Sequence, residues 1–383
     1  MLTRGINYIN FKKKKSNLKI KKKLSNILKE ENEIIKSLGK FYKYSFQKKN
    51  LKKYKTKLNY RIIGMGGSSL GAKAIYDFLK HKIKKNFKFI DNLNNNSSKE
   101  KKNYTNIIIS KSGNTLETII NSNITINKGD KNIFITEKKN SYLYLFAKKL
   151  KADIIHHNNF IGGRYSVLSE VGMLPAELMG LNSNNFKIFN DLIKNKNFMN
   201  NLISNVGSIL YFSQKKKFNS VIINYDEKSD SLFRWYQQLV AESLGKKRMG
   251  LLPIVSNMPK DNHSVMQLYL DGFQNNFFTF FYVNDFNSKK INNKNILSSQ
   301  KFLKNKSLSK ILYSQKKATE NVFSKKKIPF RSFEIKKRDE KTLGELFTFF
   351  ILETILIGKS LKLNPYDQPA VELIKKETKK LLI

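Results

Sequence analysis

The chain predicts an α/β fold of two tandem units, each a parallel sheet flanked by helices. Three observations carry that prediction. Runs such as Asn106–Ser110 and Asn132–Thr136 are β-rich and apolar without polar alternation, the pattern of strands buried on both faces. Each run is followed by a segment of helix length, the rhythm of strand–helix–strand crossovers. The theme stops at a long helical stretch near Asn184–Phe212 and restarts at Ser220, so it occurs twice and is not a short-period repeat.

Taken in order, Met1–Leu58 is Lys-rich with scattered apolar residues and reads as a helical arm. Arg61–Met65 is a strand running into a Gly-rich turn, and Leu70–Ile83 the helix after it. Asn106–Ser110 is the next strand, followed by a helix from Thr115 to about Ile126, and Asn132–Thr136 and Asp153–Ile155 add two more strands. In the second unit Ser220–Asn224 is a strand, Ser231–Leu244 a helix and Leu251–Ser256 a strand. A short helix at Ser264–Gly272, a strand at Phe277–Val283, a helix at Leu297–Phe323 and a strand at Pro329–Ile335 follow. Leu343–Ile357 and Ala370–Leu382 close the chain as helices. The boundaries expected are therefore 1–58 for the arm, 59–183 and 184–340 for the two units, and 341–383 for the C-terminal helices. In such sheets ligands sit at the carboxyl ends of the strands, where connecting loops gather.

Composition narrows the chemistry. The 383 residues contain no cysteine, which excludes disulfides, Cys-ligated zinc, thiolate catalysis and iron–sulfur clusters and suits a reducing compartment. Only four histidines occur (His81, His156, His157 and His263), so a His-rich metal site is not expected. The 73 basic residues less 29 acidic ones give a net charge of +44. A polyanion partner is one reading of that excess. Compositional drift is the other, and it is preferred: only seven of the basic residues are Arg, and Lys, Asn and Ile together are what an AT-rich coding sequence supplies. Lys is also the poorer residue for bidentate recognition of phosphate or bases. Met1–Lys23 has basic runs at Lys12–Lys15 and Lys21–Lys23 but no apolar core of a secretory signal. The most apolar stretch, Phe347–Gly358, is interrupted by Glu353 and is shorter than the roughly 20 residues of a spanning helix. It reads as a buried helix in a soluble, cytoplasmic protein with no membrane or specific nucleic-acid partner.

Two Gly- and hydroxyl-rich turns follow strands of the first unit. Gly64-Met-Gly-Gly-Ser68 opens a helix and can face its backbone N–H groups to an anion. It lacks the Gly at position 69 of a dinucleotide fingerprint and the Gly-Lys-Ser/Thr ending of a nucleotide-binding P-loop. A tight turn that needs glycine explains it equally well. Ser110-Lys-Ser-Gly-Asn-Thr115 repeats the geometry with three hydroxyls and a glycine at a helix start. An N-cap would use one such hydroxyl; two such loops on one sheet favour a phosphate cradle.

With GGRYSVLSEVG (Gly162–Gly172), the Glu in QQLVAESLGK, the His in DNHS and NPYDQPAVELIK (Asn364–Lys375), these segments stand in an order that resembles the phosphoglucose isomerase family over most of Arg61–Leu382. The resemblance implies two sugar-isomerase domains of flavodoxin-like topology and a homodimer that works without metal or other cofactor. It also implies a phosphorylated hexose substrate, with glucose 6-phosphate and fructose 6-phosphate interconverted in glycolysis and gluconeogenesis. By position, Ser110, Lys111, Ser112 and Thr115 would hold the phosphate, with Ser68 beside them and Gly67 allowing close approach. Arg164 would stabilise an enediolate, and Glu242 would move the proton between C1 and C2. His263, supplied by the neighbouring subunit, and Lys375, on the C-terminal helices that complete the site, would open the sugar ring. Gln238 and Gln368 would contact substrate, and Glu117 would hold Lys375 or Arg164 in place. His156 and His157 are expected to be structural.

Departures from the family pattern are local: Gly113-Asn114 lacks a common aromatic and threonine, Asn262 precedes His263 where Gln is frequent, and Leu244 replaces a frequent Asn. They bear on specificity more than on activity. The rival readings are a dual glucose/mannose phosphate isomerase, a non-catalytic sugar-phosphate sensor and a nucleic-acid binder. The sensor would not need Glu242, His263 and Lys375 together.

Overall fold

The computed structural model describes residues 1–12, 18–93 and 103–383 and contains two five-stranded sheets. The first is wholly parallel and joins β2 (Asn59–Ile63), β3 (Asn86–Ile90), β4 (Thr105–Ile109), β5 (Lys131–Thr136) and β6 (Asp153–His156) in the order β3-β2-β4-β5-β6. The second joins β1 (Ile6–Ile9), β7 (Asn219–Asn224), β8 (Leu252–Asn257), β9 (Asn276–Val283) and β10 (Phe330–Ile335) in the order β1-β10-β9-β7-β8. Its strands are parallel except β1, which pairs antiparallel with β10. Strand order in the first sheet reverses between β2 and β4, a topological switch point of the kind that opens a ligand crevice. The two hydroxyl-rich turns leave β2 and β4 at that point.

The first unit's expected strands are all present, and one more joins them. In β3, Phe87 is buried and alternates with polar Asn86 and Lys88, the pattern of an edge strand rather than a central one. Phe87 stacks on Tyr60 of β2 with ring centroids 4.6 Å apart. The segment expected to be wholly helical at the N-terminus opens instead with β1, whose Ile6 and Tyr8 are buried on the second sheet's edge. The helices Leu18–Lys29 and Glu33–Leu38 follow it. Most of the basic run Lys12–Lys15 lies outside the described residues. The helix expected over Leu297–Phe323 begins only at Leu308, where Ser307 caps it by accepting from the Lys310 N–H. The Asn- and Ser-rich residues before it form short 3₁₀ turns, because those side chains compete for backbone bonds.

The apolar stretch Phe347–Gly358 lies inside a single helix, Glu340–Ser360, buried on nearly every face. A helix apolar all round belongs in a core, and among the described residues no helix is long and apolar enough to cross a membrane. Glu353 interrupts the run because it meets Arg331 of β10, both side chains being fully buried. Tyr236 donates to the Glu353 carboxylate at 3.1 Å, and Arg331 also donates to Asn205 at 2.9 Å, so the buried charges are paired and bonded. This central helix carries the neighbouring helix Asp230–Leu244 through Trp235 on Phe347 and Tyr236 on Phe350, with centroids 4.9 and 4.6 Å apart. Glu242 thus stands on a helix packed firmly along its length. The terminal helix, Val371–Leu381, is different: none of its residues is buried.

Candidate active site

The two turns start side by side. A Cβ on Gly64 would lie 2.8 Å from the Ile109 carbonyl oxygen, so the end of β2 is pressed against the end of β4. Gly66 has φ +52°, the left-handed backbone that glycine adopts most cheaply. Gly67 is needed for space: a Cβ there would lie 2.2 Å from the Gly163 carbonyl carbon and 2.5 Å from the Arg164 nitrogen. The close approach that Gly67 permits is therefore that of the Gly163–Arg164 backbone, whereas the sequence suggested an approaching phosphate. Ser68 sits half-buried at the end of the same 3₁₀ turn.

In the second turn the hydroxyls of Ser110 and Thr115 are 2.8 Å apart, and Gly113 N–H donates to Ser110 Oγ at 3.2 Å. Gly113 has φ +70°, and a Cβ there would lie 2.1 Å from Ser141 Oγ. Ser112 is exposed and accepts from Asn114 N–H at 3.2 Å. Thr115 caps the helix Leu116–Thr125 without spending its hydroxyl on the helix backbone. Lys111 lies 3.9 Å from Glu137; burial pushes the lysine's pKa down, with Glu137 opposing the shift and Lys139 reinforcing it. The result is a loop of hydroxyls beside one cation at a helix start, a geometry suited to an anion.

Arg164 is the centre of the site and is 1% exposed. It rides on the 3₁₀ segment Gly163–Leu168, whose backbone is held by Trp235 donating to the Arg164 carbonyl at 3.1 Å. Its Nη1 donates to Glu242 Oε2 at 3.1 Å and to Gln368 Oε1 at 2.6 Å. Nη2 donates to the carbonyls of Pro365 and Asp367 at 2.8 and 3.1 Å, and Nε to Ser243 Oγ at 2.8 Å. Gln238, one helical turn before Glu242, donates to Glu242 Oε1 at 2.8 Å, and its amide lies against Gly66. Arg164, Glu242, Gln238, Gln368 and the first turn thus form one constellation, with the Glu242 side chain 30% exposed.

Three expected residues stand apart. His263 ends the 3₁₀ turn Lys260–His263 beyond β8, is exposed, and its ring makes no hydrogen bond among the described residues. Lys375 is on the terminal helix, 65% exposed, and pairs with Glu372 at 2.6 Å. Glu117 bonds to neither Arg164, which Glu242 pairs with, nor Lys375, which Glu372 holds. Its expected bracing role is not the arrangement found.

Other contributors escaped the sequence. Ser243 and Tyr165 directly follow Glu242 and Arg164, and adjacency within the two motifs is the one signal that marks them. Lys187 had no signal. Its buried amine donates to the carbonyls of Ser37 and Leu168, tying the N-terminal segment to the end of the Arg164 turn. Burial pushes its pKa down to about 7 against the opposing pull of Glu170. His157 is fully buried, with Nδ1 3.1 Å from the Asn158 carbonyl and a pKa lowered by that burial, as a structural histidine should be.

Known proteins resemble this chain over most of its length. A profile described as phosphoglucose isomerase matches residues 4–382. A glucose-6-phosphate isomerase of Methanocaldococcus jannaschii is 33% identical over 349 residues, covering 85% of this chain and 86% of that protein. One of Mycoplasmopsis pulmonis is 33% identical over 350 residues, covering 84% and 82%. Among solved structures, a hypothetical protein of Thermus thermophilus superimposes with a TM-score of 0.82 at 20% identity, covering 95% of this chain and 94% of that one. At that identity the likeness speaks for the fold.

Proposed function

The chain belongs to the phosphoglucose isomerase family, and we propose that it interconverts glucose 6-phosphate and fructose 6-phosphate through a cis-enediolate with Glu242 as the base. The observation that carries this reading is the Arg164–Glu242 pair at 3.1 Å, on the one face where the Gly66–Gly67 turn and Gln238 converge. A carboxylate beside a buried guanidinium supplies both a proton acceptor and a partner for the developing oxyanion. One well-placed donor of that kind is worth on the order of 3 kcal/mol.

The sugar phosphate would seat its phosphate on Ser110, Lys111, Ser112 and Thr115, with Ser68 alongside, spending remote binding energy on holding C1 and C2 near Glu242. Glu242 removes the C2 proton and returns it at C1, while the Arg164 Nη1 hydrogen that the carboxylate gives up on protonation meets the oxygen that gains charge. Gln238 and Gln368 orient the remaining hydroxyls. The units 59–183 and 184–340 would divide this labour, the first holding phosphate and the second presenting the base. The step belongs to glycolysis and gluconeogenesis in the cytoplasm.

Ring opening needs His263 and Lys375, which a single chain leaves exposed. His263 would come from a second copy of this chain, and Lys375 would arrive when the terminal helix packs down with Val371 and Ile374 inward. Mixing two inactive variants separates these cases. Glu242→Gln with His263→Ala should regain part of wild-type turnover through hybrid dimers. Glu242→Gln with Lys375→Ala should regain none, because those two residues serve one site from one chain. Recovery by the second mixture alone would reverse the assignment.

The function itself is tested by following formation of fructose 6-phosphate from glucose 6-phosphate by the purified protein in excess EDTA. Turnover is expected, with mannose 6-phosphate a poor substrate. Equal use of both aldoses would favour the dual-specificity alternative. Sugar-phosphate binding without turnover would favour a sensor.

A further inference from the structure

Building on the isomerase reading, we infer that Ser243 and Tyr165 are positioning residues that fix which edge of the Arg164 guanidinium meets the substrate. Four buried groups form a closed ring. Arg164 Nε lies 2.8 Å from Ser243 Oγ, Ser243 Oγ 2.8 Å from the Tyr165 hydroxyl, and that hydroxyl 2.9 Å from the Pro365 carbonyl. Arg164 Nη2 returns to the same carbonyl at 2.8 Å. Ser243 and Tyr165 are completely buried.

The hydrogens in this ring have only one arrangement. A carbonyl only accepts, so the single Tyr165 proton goes to Pro365. Guanidinium only donates, so Ser243 accepts from Nε. Between the two hydroxyls, Ser243 must then be the donor to Tyr165. Each proton is used once and the direction is set without choice. Ser243 and Tyr165 together leave no freedom for the guanidinium to rotate about its own axis.

The consequence falls on Nη1. Guanidinium has five N–H groups; Ser243, Pro365 and Asp367 take three. The two that remain are on Nη1 and point to Glu242 and Gln368, the side chains read here as meeting substrate. The ring therefore selects Nη1 as the edge offered to the enediolate oxygen. It also anchors the Pro365–Gln368 loop, from which the terminal helix departs.

The test compares two probes on the full chain. One is the phosphate ester of a five-carbon aldonohydroxamate, planar and anionic like the enediolate. The other is hexitol 6-phosphate, open-chain with no planar centre. In Tyr165→Phe and Ser243→Ala, hydroxamate affinity and kcat should both fall by about 10- to 100-fold, the scale of a misplaced catalytic donor. KM and hexitol 6-phosphate affinity should stay within about threefold, because the phosphate cradle is untouched. Ser243→Thr keeps the hydroxyl and should retain most of the hydroxamate affinity. Unchanged hydroxamate binding in both variants overturns the inference, as does equal weakening of both probes, which is what a merely structural role would produce. A wild-type protein that neither turns over nor distinguishes the probes overturns the isomerase reading first.

Discussion

Glu242→Gln should fold as the wild type does and lose at least about 10³-fold in kcat, within the span a positioned general base supplies. Glutamine keeps the shape and an acceptor for the Gln238 amide, now 2.8 Å from Glu242 Oε1. It cannot take the C2 proton. Arg164 loses one of five bonds and keeps those to Ser243, Gln368, Pro365 and Asp367, so the site's frame should survive. KM should move little, since Glu242 bonds to Arg164 and Gln238 and to none of the residues proposed to hold phosphate.

Two measurements check this. Stopped assays in both directions give kcat and KM, and loss of deuterium from substrate labelled at C2 reports proton abstraction alone. Wild-type protein should clear the label from C2, moving it to C1 of the product and in part to water, and the variant should not. A variant within tenfold of wild type in turnover would remove Glu242 from the role of base. Exchange that persists without isomerisation would leave the base elsewhere and place the defect in the second proton transfer.

How much of this was legible beforehand depends on whether a feature is local or made by packing. The central strands were plain because Ile107–Ile109 and Ile133–Ile135 are buried throughout, which demands continuous apolar runs. Of the four edge strands, β6 and β8 were legible, but β1 and β3 were not, since their short, Lys-flanked runs resemble amphipathic segments. Arg164 and Glu242 were legible because motif context surrounds each. Their direct contact was not, since 78 residues separate them. Ser243 and Tyr165 matter through hydrogen bonds that close only once the Pro365 loop has folded back. Lys187 could not be found at all: a lysine among 73 basic residues carries no mark of being buried. His263 and Lys375 are the converse case, recognised by position and left exposed by a single folded chain.

Gly67→Ala should cost both stability and activity, and by different routes. The added methyl would meet the Gly163 carbonyl carbon at 2.2 Å, its oxygen at 2.4 Å and the Arg164 nitrogen at 2.5 Å. All three atoms are backbone, so no flexible side chain can step aside. Overpacking of a buried site costs about 1–3 kcal/mol, and a backbone collision belongs at the upper end. Arg164 begins at the displaced nitrogen, and a shift of about 1 Å in a positioned group can cost roughly 10²-fold in rate. Gly67 thus sets the position of Arg164, the oxyanion donor of the proposed mechanism. Denaturant unfolding should give a lower midpoint with an unchanged slope, and kcat should fall about 100-fold in protein that remains folded. Gly163→Ala is the control, for its Cβ would meet Gly67 no closer than 3.6 Å, an ordinary contact, and it should keep most of its activity. If the two variants behave alike, packing between the turns does not position Arg164, and the proposed coupling between the Gly66–Gly67 turn and the Arg164–Glu242 pair fails.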